Sequence, residues 1–173
     1  MTLQRPVKEL LSFLQQNPGI RMRIAAPANC TLLYAGEFFR PVWKELEHLR
    51  ALHPELATKR LLPDVLAQIA TPGQAAPNLL AWSESLDSLI PWSANGFVAW
   101  RALSGIYASN ALGAVSFCVG SGISKASKVF AATEVPVLLR NTRVNAVTKD
   151  LLSYYQRCVQ SGQSAVNLGF IAG

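Results

Sequence analysis

Acidic residues nearly disappear from the second half of this 173-residue sequence. From Ser88 onward the acids are Glu134 and Asp150, against Arg101, Lys125, Lys128, Arg140, Arg143, Lys149 and Arg157, so this half carries +5 of the chain's net +6. Such a field attracts phosphates and makes a lone carboxylate conspicuous. Long apolar runs are also missing. None approaches the ~18 residues of a membrane span, and the opening MTLQRPVKELLSFLQQNPG has internal charges and no signal-peptide core. The expectation is a soluble domain with no membrane association. Cys30, Cys118 and Cys158 are widely spaced and form no CxxC pair, which excludes a zinc cluster or a disulfide framework and fits thiols in a reducing compartment. His48 and His53 have no Asp or Cys at ligand spacing, so no metal is expected. The bases form no cluster interleaved with aromatics, which weighs against nucleic acid as a partner. Internal repeats and low-complexity segments are absent.

With 50% hydrophobic and 15% charged residues, the chain has the make-up of a compact fold. Residues 7, 10, 11 and 14 are apolar at the helical period, and Asn17-Pro18-Gly19 stops that first helix. The pattern then predicts an edge strand over 20–26, a buried strand over 30–34 (CTLLY) and a helix over 38–52 begun at Pro41. Prolines and Asn95-Gly96 punctuate 59–96, leaving short helices at 63–69 and 78–89 around the tight turn Thr71-Pro72-Gly73. A helix over 97–112 has a stripe at Phe97, Trp100, Leu103, Tyr107 and Ala111, with Ser104 one turn from Trp100 on the same side. Strands are expected at 114–119 and 134–139, a loop at 120–125, a helix at 150–159, and a small, polar, partly frayed tail. The reading is a single α+β domain over 1–173, in which N-terminal helices pack on a small, mainly parallel C-terminal sheet flanked by helices. Residues 1–96 form a mainly helical lobe, 97–160 a helix-plus-sheet lobe and 161–173 the tail, with the site in the cleft between the lobes.

Glu134 admits two readings at this stage. It is either an exposed strand-start residue paired with Lys128 or Arg140, or a functional carboxylate facing positive charge on a bound ligand. The run 115–126 (VSFCVGSGISKA) sets Gly120, Gly122 and Ala126 after an apolar strand, the order of a dinucleotide-binding turn. More than a hundred residues precede it, however, and no acid follows about 20 residues on in a strand-end context, so a plain strand-to-helix turn competes.

Several stretches together resemble one family. The strand Leu33-Tyr34-Ala35-Gly36, the Thr-Pro-Gly turn at Thr71, Trp100 and Ser104 on a helix ending YASNALGAV, and Phe130-x-x-x-Glu134 before Val135-Pro136-Val137-Leu138 and Asn141 are similar to the ADP-ribosyl cyclase and NAD glycohydrolase proteins, especially the toxin domains of bacterial polymorphic toxins. The resemblance covers roughly residues 30–141. It implies an ADP-ribosyl cyclase-like fold and an NAD(P)+ glycohydrolase that cleaves the nicotinamide–ribose bond to give nicotinamide and ADP-ribose. NAD or NADP would be substrate, with no further cofactor. Glu134 would be catalytic, and Trp100, Ser104, Tyr34, Thr71 and Phe130 would bind substrate. Ala35 stands where the family usually has Ser, and Ile69-Ala70 replace the acidic pair that vertebrate cyclases place before the turn, which favours hydrolysis over cyclisation.

The chemistry suits a lone acid. Nicotinamide leaves a cationic pyridinium as a neutral molecule, so no general acid is required, and one carboxylate can hold the ribose hydroxyls and stabilise oxocarbenium-like charge. Trp100 and Tyr34 would wall the site, and Ser104 would bind phosphate with amides near Gly36 or Gly120; equally, the aromatics and Phe130 fill a core and Ser104 bonds its own helix. The implied setting is a secreted effector without a recognisable signal peptide, acting in the target-cell cytoplasm. The producing cell would restrain it with an immunity protein that the basic half predicts to be acidic. A reading from another class is a non-enzymatic basic module that docks an acidic protein or nucleic acid.

Overall fold

A computed structural model describes residues 3–34, 51–71, 73, 76–91, 97–118, 129–161 and 170–172. Helix α1 (Arg5–Gln16) carries Pro6 in its first turn, which the fixed φ of proline suits, and buries Val7, Leu10 and Leu14. Asn17 closes it by donating its amide to the Phe13 carbonyl at 2.7 Å. The expected edge strand over 20–26 is instead a helix, α2 (Pro18–Arg23). Pro18 starts a new helical turn, and Asn110 donates to the carbonyls of Arg21 and Ile24, so side-chain and turn bonds take up the backbone that a sheet would have used.

Strand β1 (Thr31–Tyr34) pairs in parallel with β2 (Val115–Cys118), Thr31 opposite Val115 and Tyr34 opposite Cys118. Strand β3 (Phe170–Ala172) adds antiparallel to the other side of β2. The sheet is therefore mixed, its first strand comes from the N-terminal half, and the end of the tail is a paired strand rather than frayed. Gly113 fixes where β2 begins. It has φ +74°, and a Cβ there would come within 2.2 Å of the Asn29 side-chain oxygen that accepts from Ala114 N–H.

Helix α3 (Leu62–Leu66) is capped by Asp64, which accepts from Leu61 N–H, and α4 (Leu79–Leu89) by Asn78, which accepts from Ala81 N–H. Helix α5 (Phe97–Ser109) buries Leu103, Ser104 and Tyr107, leaves Phe97 and Trp100 of the expected stripe half-buried, and ends before Ala111. Where a strand was expected over 134–139 the chain is helical: a π-turn (Phe130–Glu134) runs into α6 (Val135–Arg140). Val135 and Leu138, three apart, are both buried, a helical period that the apolar run concealed. Pro136 accounts for the widened turn, since it has no N–H for the carbonyl four residues back and its ring crowds that carbonyl. Helix α7 (Ala146–Ser161) begins earlier than expected because Asn145 accepts from Thr148 N–H and caps it.

Among the described residues the fold is mixed α and β and mostly helical, with α1, α4, α5, α6, α7 and the sheet closing on one apolar cluster. Tyr155 lies against Phe130 with ring centroids 5.0 Å apart, and the Phe117 ring of β2 is 5.9 Å from Phe130. No helix among these residues is long and apolar enough to cross a membrane.

Candidate functional site

Helix α5 organises the site. Trp100, Ser104 and Tyr107 lie along one face at spacings of four and three, and each binds a partner from elsewhere in the chain. The Trp100 indole N–H donates to both carboxylate oxygens of Asp87 on α4, each at 2.9 Å. The Ser104 hydroxyl hydrogen-bonds to the Glu134 carboxyl. Tyr107, fully buried, donates to the carbonyl of Arg60.

Glu134 is the last residue of the π-turn, and only 5% of it is exposed. Its amide donates to the Val129 carbonyl five residues back at 3.0 Å. The wide turn packs against α5, with Thr133 at 3.5 Å from where a Cβ on Gly105 would stand. Oxygen Oε2 of Glu134 is buried with no hydrogen-bond partner. Burial pushes the carboxyl up to about 8, while the Ser104 bond holds it down. Neither part of the expected exposed, ion-paired residue is met within the described chain: Arg140 is exposed, and the one ion pair among the described residues is Arg5 with Glu9. Lys128 lies outside the described residues. Among the described residues no cation pairs with Glu134.

Tyr34 ends β1, half-buried. Burial raises its phenol, and the nearby charges of Glu134 and then Asp87 raise it further, so it remains protonated. The Asp87 carboxyl is also raised, by partial shielding from water, while the Trp100 N–H opposes the rise. The structure therefore gathers four of these groups, Tyr34, Trp100, Ser104 and Glu134, around α5 and adds Asp87 and Tyr107.

Two expected site residues lie elsewhere. Phe130 is 1% exposed and packed against Phe117 and Tyr155, so it fills the core. Thr71 is buried and donates to the Ala76 carbonyl, locking the turn through Gly73 at φ +75°. Ser104, expected to take a phosphate, is committed to Glu134. Ala35, Gly36, Pro72, Gly120 and Gly122 lie outside the described residues.

Asp87 was missed from sequence, and one signal pointed to it. An indole at a helix surface seeks an acceptor for its N–H, and on its own helix only the Ser104 hydroxyl stands at a neighbouring position, so an acid from another segment was an open alternative. A surface cleft of about 900 Å3 near Arg23, Arg60 and Asp64 includes none of the six expected residues. No group of three or more metal-ligating side chains occurs among the described residues. No family model, curated protein or solved structure matches the chain.

Proposed function

We propose that the chain is an NAD or NADP glycohydrolase, with an ADP-ribosyl cyclase-like fold, that releases nicotinamide and ADP-ribose. One observation carries the reading: Glu134 is a buried carboxyl hydrogen-bonded to Ser104 whose Oε2 has no partner, with the Tyr34 phenol in its field. A fold gains nothing from such a group, since leaving a buried oxygen unsatisfied costs on the order of 1–3 kcal/mol. A ligand that carries positive charge reverses that cost.

In the reaction the C–N electron pair departs with the nicotinamide nitrogen, which becomes neutral. Ionised Glu134 faces the electron-poor ribose, and water adds at the anomeric carbon and gives up its proton to solvent. Ser104 orients the carboxylate. Tyr34, held protonated, offers an O–H to a ribose or amide oxygen, and the faces of Tyr34 and Trp100 exclude water. Because burial holds Glu134 partly protonated near neutrality, a fixed positive charge on the substrate draws the carboxyl down and expels its proton. The substrate's own charge thereby switches on the carboxylate.

In the cell this activity is that of a toxin or effector. The producer requires protection, and the chain's net charge of +6 favours an acidic inhibitor. The test is incubation of the purified protein with NAD and NADP while nicotinamide and ADP-ribose are followed by chromatography. Absence of both products from folded protein at pH 7 to 9 rejects the reading.

A further inference from the structure

Trp100 and Ser104 stand one helical turn apart on the same face of α5, about 6 Å by helix rise. Each holds a carboxyl delivered by a different segment. Asp87, from α4, takes the indole N–H with both oxygens at 2.9 Å, and Glu134 takes the Ser104 hydroxyl. The arrangement therefore sets two acids side by side along a helix face, with Tyr34 within the electrostatic reach of both. Asp87 has no ion-pair partner among the described residues, and the Glu134 Oε2 is buried and unpartnered.

An indole N–H needs one acceptor, and any carbonyl or hydroxyl oxygen would do. A carboxylate bound through both oxygens does two further things. It fixes the edge of the ring, so the direction in which the ring faces look is set, and it places a full negative charge at that edge. Electron-rich ring faces attract cations, and a nearby carboxylate strengthens the attraction. Together these favour a flat ligand with positive charge and leave a neutral ring of the same shape at a disadvantage.

We propose that Asp87 is the positioning and charge-selecting residue of this site, holding Trp100 in place and setting a preference for a flat organic cation over its neutral counterpart. The inference takes the site's location from the function proposed above but does not depend on hydrolysis.

The experiment uses titration calorimetry with two probes of the same ring, cationic 1-methylnicotinamide and neutral nicotinamide. The wild-type protein is expected to bind the cation about tenfold more tightly, the effect of a charge acting over several ångströms near a protein surface. Asp87→Asn keeps an oxygen for the indole and removes the charge, so the preference falls to about twofold while nicotinamide affinity stays within about twofold of wild type. Trp100→Phe keeps a ring and frees its edge, so both probes weaken together and the preference survives. Asp87 is exposed, and Asp87→Ser reads the same ratio should Asp87→Asn fold poorly. Equal affinities in the wild type, or an undiminished preference in Asp87→Asn and Asp87→Ser, overturn the proposal. Nicotinamide release from NAD by the same preparation separates the two readings. Turnover without cation preference removes the role of Asp87 and leaves the hydrolase; an Asp87-dependent preference without turnover does the reverse.

Discussion

The middle and the C-terminal end of α5 each meet the segment from the π-turn to the end of α6 through one buried polar side chain, and the two meetings are opposite in kind. At the end, Asn141 donates its amide to the carbonyls of Ala108, Ser109 and Ala111 at 2.9–3.2 Å and accepts from Arg143 N–H at 2.9 Å. Those carbonyls lie at and just beyond the end of α5, where Ala108 also accepts from Ala111 N–H and Ser109 from the Arg143 guanidinium, so Asn141 completes the closure of the helix with every side-chain polar atom used. In the middle, Glu134 is about as deeply buried but has an oxygen with no partner and a proton held against its ordinary chemistry. Burial alone does not mark a functional residue. The unmet hydrogen-bonding capacity of a buried carboxyl is what sets Glu134 apart from Asn141, and it is what the proposed function draws on.

The sharpest way to break this contrast is to neutralise each residue. Glu134→Gln preserves shape and should lower nicotinamide release by about three orders of magnitude or more while the protein still folds. Near-normal turnover would place Glu134 with Asn141 as a structural residue. Asn141→Ala should do the converse. The Ala111 carbonyl loses its donor while Ala108 and Ser109 each keep another, and stability should drop by about 1–3 kcal/mol in denaturant titration, with turnover per folded molecule little changed.

A slightly smaller effect tests the cost of Glu134 directly. Its carboxyl sits near 4.5 when unfolded and near 8 when folded, so between these values the native state holds a proton that the unfolded state has lost. The contribution of Glu134 to wild-type stability should therefore be full below about pH 4.5, fall as pH rises and level off above about 8. Glu134→Gln has no such proton. Chemical denaturation at pH 5 and pH 8.5 should find it close to wild type at the lower pH and more stable at the higher. Equal pH slopes in the two proteins would show that Glu134 ionises freely.

What was legible in the sequence divides along the same physical line. Local patterns located α1, β1, α4, α5 and β2, because apolar period and caps act within a few residues. Glu134 was legible through the scarcity of acids around it. Its surroundings were not, since Val135, Val137 and Leu138 read as a strand until Pro136 and packing on α5 wound them into a helix. The strand expected over 20–26 failed for the same reason: Asn110, far along the chain, binds the carbonyls of Arg21 and Ile24. Asp87 joins Trp100 only through the approach of α4 to α5, which no spacing within either helix encodes.

The smallest expected effect concerns Ser104, which stands between the two kinds of residue. It is buried like a core side chain and resides in mid-helix, where its hydroxyl could have bonded the preceding turn. It bonds Glu134 instead, favouring the ionised form against the effect of burial. Ser104→Ala removes that bond and leaves the rest of α5 intact, so the carboxyl should be harder to ionise. In the pH profile of kcat/KM, which reports the free enzyme, the wild-type rise is expected to centre near the folded value of about 8. The variant's rise should centre about one pH unit higher, the size of one hydrogen bond to a charged group. Turnover at pH 7 should accordingly fall by about tenfold and recover by pH 9 to 10, where both proteins are ionised. A loss that persists at high pH would mean that Ser104 also touches substrate, and an unchanged profile would mean that its hydroxyl does not set the ionisation of Glu134.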